Sequence, residues 1–136
     1  MTSWLPAAFL ALLSFGVWGF FTKLAVMHID SKSALVFQTL GVLIIGLITL
    51  SLINFKPATD TKGITYAIIT GLAYGIGCLF YFMAASKGKI ITVVTLTALY
   101  PLVTILLAYL LLNEIINLKQ WIGIALAIVA IILMSS

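Results

Sequence analysis

Polar and aromatic side chains recur at helical spacing inside long apolar stretches of the sequence. Ser14, Trp18 and Thr22 follow one another at four-residue steps, which places them on one face of a helix. With the equivalent positions of three other stretches, the candidates for lining a wet cavity are Trp18, Gln38, Tyr74, Tyr81, Thr97 and Tyr100. Hydroxyl and amide groups would hydrogen-bond a small solute there, and aromatic faces would stack on it. The alternative is that each hydroxyl bonds its own helix backbone while each ring packs.

Two further residues stand out because each leaves a charge or an unpaired backbone group in apolar surroundings, which costs free energy. Lys23 is the charged residue that lies inside a long apolar run. If that run spans a membrane, Lys23 either snorkels to the headgroups or contacts an anionic group of a ligand. Pro101 lies midway along the fourth apolar stretch, lacks an N–H group and leaves the carbonyl of Thr97 without its donor. We expect a kinked helix there, either exposing that carbonyl to a cavity or serving only to shape the helix.

The charged residues avoid five apolar runs almost completely. The runs cover residues 5–27, 34–53, 63–85, 90–112 and 118–134. The 136-residue chain is 64% hydrophobic and 7% charged, against about 45–50% and about 25% in soluble domains. A helix of about 23 residues is roughly 34 Å long and crosses a hydrocarbon core about 30 Å thick. The pattern therefore predicts an all-α fold, a polytopic membrane protein with five transmembrane helices in one domain, 1–136.

Several local signals predict how these helices begin and pack. Ser33 is the expected N-cap of the second helix. The pattern Gly71-x-x-x-Gly75 predicts a face on which the third helix approaches another closely, with a face toward a solute as the alternative. Cys78 is expected to pack as a small residue. Glu114 is expected to cap the fifth helix or to form an interfacial ion pair.

Several function classes have no residues to support them. Cys78 is the only cysteine and His28 the only histidine, and they stand about fifty positions apart. We therefore expect no metal, no cofactor and no enzymatic activity. The lysines form no basic stripe, so no nucleic-acid partner is expected. The acidic residues, Asp30, Asp60 and Glu114, all fall in the gaps between runs. This favours facilitated diffusion, or coupling through the solute itself, over coupling through a central carboxylate.

The lysines do not specify one orientation in the bilayer. One set of gaps carries Lys56, Lys62 and Lys119, and the other carries Lys32, Lys87 and Lys89, with Lys23 if it snorkels to that side. Orientation follows the asymmetry of lysine and arginine between the two sides, and here the numbers nearly match. The near tie indicates dual insertion, unless other features select one orientation.

The second half of the chain resembles one unit of a known transporter family. The residues that carry the likeness are Tyr81 to Ser86, Val94 to Pro101 with its mid-helix proline, Asn113-Glu114, and Gln120 to Gly123 opening the last helix. Ser14 to Gly19, followed by Lys23, is similar to the opening helix of such a unit. On these grounds the whole chain resembles an EamA-type unit of the drug/metabolite transporter superfamily.

The resemblance implies one half of a ten-helix, inverted-repeat transporter fold in the cell membrane, with a solute cavity between two five-helix halves. The implied partners are the lipid bilayer, a small metabolite or drug-like solute, and a second half, supplied by an antiparallel homodimer or by a paralogous chain. Two other functions stay open at this point. They are a non-transporting subunit of a larger membrane complex and a flippase for a lipid carrier.

Overall fold

The computed structural model of the protein describes residues 4–135, which form six α-helices and no strand. The helices are α1 (Trp4–His28), α2 (Ser31–Leu52), α3 (Thr61–Lys87), α4 (Ile90–Thr97), α5 (Tyr100–Leu111) and α6 (Leu118–Ser135). Contacts divide the chain into two compact units, Met1–Lys87 and Gly88–Ser136. The first unit holds α1, α2 and α3, and the second holds α4, α5 and α6.

The helices have the length and composition of membrane spans. Helices α1, α2 and α3 are each long and apolar enough to cross a bilayer, and so is the combined segment Ile90–Leu111 that contains α4 and α5. The apolar helix over Leu118–Met134 is shorter. The all-α, multi-span architecture predicted from the five apolar runs is therefore confirmed.

The fourth apolar run forms one segment of membrane length, Ile90–Leu111, and it is interrupted at the expected place by a break between α4 and α5. Ala98 and Leu99 form a turn between α4 and α5. Around this turn the hydrogen bonds tighten to three-residue steps, from Leu99 N to Leu96 O at 3.3 Å and from Leu102 N to Leu99 O at 2.9 Å. Pro101 explains the break, because its ring has no N–H and clashes with the carbonyl four residues earlier.

Asp30, and not Ser33, is the N-cap of α2. Its Oδ1 accepts hydrogen bonds from the backbone N–H groups of Lys32 at 3.0 Å and Ser33 at 3.1 Å. These donors have no partner within the helix, which is why a carboxylate placed just before the first turn stabilises it. Ser33 contributes its hydroxyl, which donates to the second oxygen of Asp30 at 2.5 Å. The sequence-based expectation was wrong by three residues.

The other end of α2 is closed by a left-handed residue. Asn54 has φ 53°, and asparagine tolerates this conformation better than most residues. The N–H of Phe55 donates to Leu50 O at 3.0 Å, and that of Asn54 donates to Ser51 O at 3.0 Å. This pair of bonds is the Schellman arrangement that satisfies the last carbonyls of a helix.

Helix α6 begins with a reciprocal capping box. Asn117 Oδ1 accepts from the N–H of Gln120 at 3.0 Å, and Gln120 Oε1 accepts from the N–H of Asn117 at 2.8 Å. The cap of this helix is therefore Asn117, and the expectation that Glu114 caps it was wrong. Glu114 lies in the connection between α5 and α6, next to Asn113, whose φ of 54° ends α5.

The first unit is held together on α3, which packs against both α1 and α2. Its buried cluster consists of Ala34, Cys78 and Phe82, with Trp18 and Leu35 among the partly buried residues packed against it. All of these lie toward the end of the unit where α1 ends, α2 begins and α3 ends. The packing role predicted for Cys78 is confirmed.

The predicted close approach at the glycines is not made within the described part of the first unit. At Gly71, Gly75, Gly41 and Gly46, an added Cβ would meet nothing within 4 Å among the described residues. These faces are open, so a second chain or lipid can reach the helix backbone there.

In the second unit, α6 packs against α4.

The Asp30 cap makes stability depend on pH. Hydrogen bonds from the Ser33 hydroxyl and N–H hold the pKa of the Asp30 carboxyl below its ordinary value. A lowered folded-state pKa stabilises the protein above the unfolded pKa of about 3.9, and the contribution is lost as pH falls through the folded value. Between about pH 7 and about pH 3, wild-type protein should therefore lose more stability than Asp30→Asn, which keeps a neutral cap. Thermal unfolding in detergent, followed by circular dichroism, measures this. Equal losses in both proteins would contradict it.

Candidate functional site

Three of the predicted cavity residues meet in the first unit, one from each helix. Trp18 of α1 donates from Nε1 to Oε1 of Gln38 in α2 at 2.7 Å. Its ring lies 4.6 Å from the ring of Tyr81 in α3, centroid to centroid, with the planes tilted by 35°. Trp18 therefore joins all three helices of the unit. We call Trp18, Gln38 and Tyr81 the aromatic–amide cluster.

The chemistry of the aromatic–amide cluster suits an uncharged polar ligand. An aromatic pair of this kind is worth about 0.5–1.5 kcal/mol beyond its area burial, and a hydrogen bond between membrane helices about 0.6 kcal/mol on average. The aromatic contact and the hydrogen bond hold the aromatic–amide cluster in place. Gln38 accepts one hydrogen bond from Trp18 through Oε1, and its side-chain amide also carries two N–H donors. Tyr81 is buried, whereas Trp18 and Gln38 are partly exposed, so the Trp18 ring and the Gln38 amide are the groups that can stack against, and hydrogen-bond to, a small molecule.

The serine and threonine hydroxyls of the polar stripes donate to their own helices and not to the aromatic–amide cluster. The hydroxyls of Ser14, Thr22, Thr70 and Thr97 donate to carbonyls of their own helices, four residues earlier, at 2.8–3.0 Å. The alternative expectation is confirmed for these residues, because a hydroxyl on a short side chain finds its nearest acceptor in the preceding turn. The predicted cavity itself stays a prediction.

The remaining candidates have separate surroundings. Tyr74 lies two turns before Tyr81 on α3 and is 43% exposed. Thr97 ends α4, and Tyr100, 64% exposed, begins α5. Both belong to the second unit, so their convergence with the aromatic–amide cluster stays a prediction.

Lys23 has a partner on another helix. Its Nζ donates to the backbone carbonyl oxygen of Ala85 in α3 at 2.7 Å. Ala85 is fully buried and lies in the last turn of α3, where carbonyls lack intrahelical donors and the helix dipole is negative. An ammonium group there satisfies the carbonyl and offsets the dipole. Simple snorkelling to the headgroups does not describe this contact.

The second unit contains a groove of about 560 Å³ along α5 and α6. Pro101 and Ala108 line it from α5, Gly123 and Ile128 line it from α6, and Glu114 lies where the two helices are connected. The lining is mostly apolar, so the groove fits hydrocarbon better than a sugar-sized polar solute. Pro101 thus shapes a wall of this groove.

Sequence reasoning missed the partner of Lys23 and the role of Thr22, which is 3% exposed beneath Trp18 and bonds its carbonyl. A backbone carbonyl carries no sequence signal, so Ala85 could not be found. Thr22 was visible only as part of the helical stripe. Among residues 4–135, no three side chains of the His, Cys, Asp or Glu type are grouped to hold a metal ion.

Comparisons with known proteins agree on the family. The model of the EamA-like transporter family matches residues 2–136. An uncharacterized protein of Methanocaldococcus jannaschii is 40% identical over 125 residues, covering 89% of this chain and 88% of that protein. No solved structure matches the chain.

Two further relatives have named activities. The glucose uptake protein GlcU of Staphylococcus xylosus is 33% identical over 108 residues, covering 79% of this chain and 36% of that protein. The probable glucose uptake protein GlcU of Staphylococcus epidermidis is 30% identical over 126 residues, covering 93% and 42%. The chain thus spans less than half the length of these two relatives. A multi-pass membrane protein by its helices, the chain belongs to the EamA-like transporter family.

Proposed function

We propose that this chain is half of a membrane transporter for a small, uncharged, polyhydroxylated solute of the monosaccharide class. The observation that carries the proposal is the aromatic–amide cluster, in which Trp18 contacts Gln38 and Tyr81. A pyranose presents an apolar C–H face that stacks on aromatic rings, and hydroxyls that bond amides. The names of the two staphylococcal relatives, glucose uptake proteins, support the same solute class.

The acidic residues support transport that is not driven by protonation of a buried carboxylate. The chain has three acidic residues, and Asp30, Asp60 and Glu114 all lie outside the helices. A carboxylate outside the hydrocarbon region titrates without crossing it. We propose facilitated diffusion, in which the solute gradient alone sets the direction.

We also propose that two five-segment halves build the solute pathway. The glycine faces of α2 and α3 are open within the first unit, as far as the structure describes it, and such faces allow helices of a second half to approach closely. The chain matches only 36% and 42% of the two glucose uptake proteins. The near-equal lysine numbers on the two sides favour two copies of opposite orientation, as in inverted-repeat transporters. A paralogous half is the other possible partner.

A second prediction concerns the aromatic–amide cluster. In proteoliposomes that take up labelled glucose, Trp18→Ala should raise KM about tenfold, because a loss of about 1.4 kcal/mol of solute contact corresponds to that factor. Trp4→Ala is the matched control, since Trp4 lies on the same helix and is 68% exposed. Wild-type KM in the Trp18 variant would reject the cluster as the solute contact. Absence of glucose uptake by the wild-type protein would reject the solute class.

A third prediction concerns the orientation of the chain in the bilayer. Cys78→Ala removes the only cysteine, and Ala58→Cys then reports on the connection between α2 and α3. An impermeant thiol reagent should label roughly half of this protein in intact cells, and all of it after permeabilisation, if insertion is dual. All-or-none labelling in intact cells would exclude the antiparallel homodimer and leave a paralogous half as the partner.

A lysine-bearing variant provides the functional control. Adding Thr59→Lys and Thr61→Lys to the labelled protein should shift the balance so that this connection is cytoplasmic in nearly every copy. Glucose uptake should then fall, and co-expression with an oppositely biased copy should restore it. Full uptake by the single biased form would contradict the antiparallel pair.

A further inference from the structure

We infer that Lys23 is a positioning residue that sets the register of α1 against α3 and thereby keeps Trp18 stacked on Tyr81. Two contacts join these helices in the same order along α1 and α3. Trp18 meets Tyr81 ring to ring at 4.6 Å, and Lys23 reaches the carbonyl oxygen of Ala85 at 2.7 Å. The inference rests on the proposed function only for its consequence for solute uptake.

The spacing of the two contacts explains why both are needed. Trp18 and Lys23 are five residues apart on α1, a rise of about 7.5 Å, and Tyr81 and Ala85 are four apart on α3, a rise of about 6 Å. The packing of α1 on α3 and one such contact restrict rotation and sliding of α1 less than two contacts at different heights do. The Trp18 ring is then held at one height on α3.

The bond to Ala85 is stronger than an ordinary side-chain contact. The donor is a cation, the acceptor is a carbonyl in the last turn of α3, and charge-assisted hydrogen bonds are about twice as strong as neutral ones. Ala85 is fully buried, so water does not replace the ammonium easily. The negative end of the α3 dipole adds to the attraction.

This assignment differs from an anion-binding role for Lys23. A residue that holds α3 acts on the solute through the aromatic wall, whereas an anion contact would act on the solute directly. Neutral Lys23→Met and cationic Lys23→Arg show whether the hydrogen-bond donor of residue 23, and not only the packing of its apolar stem, is required. Methionine keeps an apolar stem of similar length but has no donor, while arginine keeps both the charge and several donors.

The test reads the Trp18 environment and does not depend on transport. Replacing Trp4 and Trp121 with phenylalanine leaves Trp18 as the single tryptophan. Lys23→Met should then shift Trp18 emission and increase its acrylamide quenching severalfold, while Lys23→Arg should resemble the parent. Lys32→Met is the matched control, because Lys32 is an exposed lysine at the same end of this unit. Unchanged Trp18 fluorescence in folded Lys23→Met would overturn the inference, and so would failure of arginine to restore it.

A measurement on the unsubstituted side chain covers the case in which Lys23→Met does not fold. In protein labelled with ¹⁵N at lysine side chains and ¹³C at alanine carbonyls, solid-state dipolar recoupling should show one Nζ–carbonyl pair at about 3.5 Å. Lys23→Arg assigns the signal by removing it. Absence of such a pair in the wild-type protein would overturn the inference whatever the variants do.

Transport then separates this inference from the proposed function. If Lys23→Met changes Trp18 fluorescence and also raises the KM for glucose, both the positioning role and the proposed function stand. A fluorescence change without any glucose uptake by the wild-type protein supports the positioning role and rejects the solute class. A change in KM with unchanged fluorescence overturns the positioning role and favours a direct contact between Lys23 and the solute.

Discussion

Hydrocarbon offers no hydrogen-bond partners, and this constraint decides where the polar side chains of the protein point. Each polar group at membrane depth must find its partner within the protein. Short side chains reach only their own helix, which is why Ser14, Thr22 and Thr97 donate to carbonyls one turn earlier. Longer side chains reach a neighbouring helix: Trp18 bonds Gln38, and Lys23 bonds the carbonyl of Ala85. The polar bonds between helices of the first unit therefore come from side chains with several rotatable bonds or a large ring.

The aromatic–amide cluster is a consequence of the same constraint. Because Trp18 spends its single donor on Gln38 and its ring on Tyr81, one side chain links α1, α2 and α3. The buried core beside it is small, with Ala34, Cys78 and Phe82 as its members. A unit with so small a core and open glycine faces has surface to offer to a second half, and this supports the proposed two-half transporter.

The helix ends show how local competition defeats a pattern read residue by residue. Ser33 was the expected cap of α2, but the carboxylate of Asp30, three residues earlier, receives two backbone N–H groups. Asn117 displaced Glu114 at α6 because it forms a reciprocal box with Gln120. Which candidate caps a helix depends on where the first turn begins. A shift of a few residues there changes which backbone groups lack partners, so these details could not be predicted.

The sequence by itself determined the class of the protein, because apolar runs of membrane length have no other stable structure than helices in a bilayer. It also identified Trp18, Gln38 and Tyr81 as members of polar stripes, since helical spacing follows from residue number alone. Only the tertiary structure decided that these three meet and that Lys23 holds a carbonyl of α3. Those outcomes depend on distances between residues that are 20 to 62 positions apart. Such distances are set by how the helices pack against each other, which no single helical pattern records.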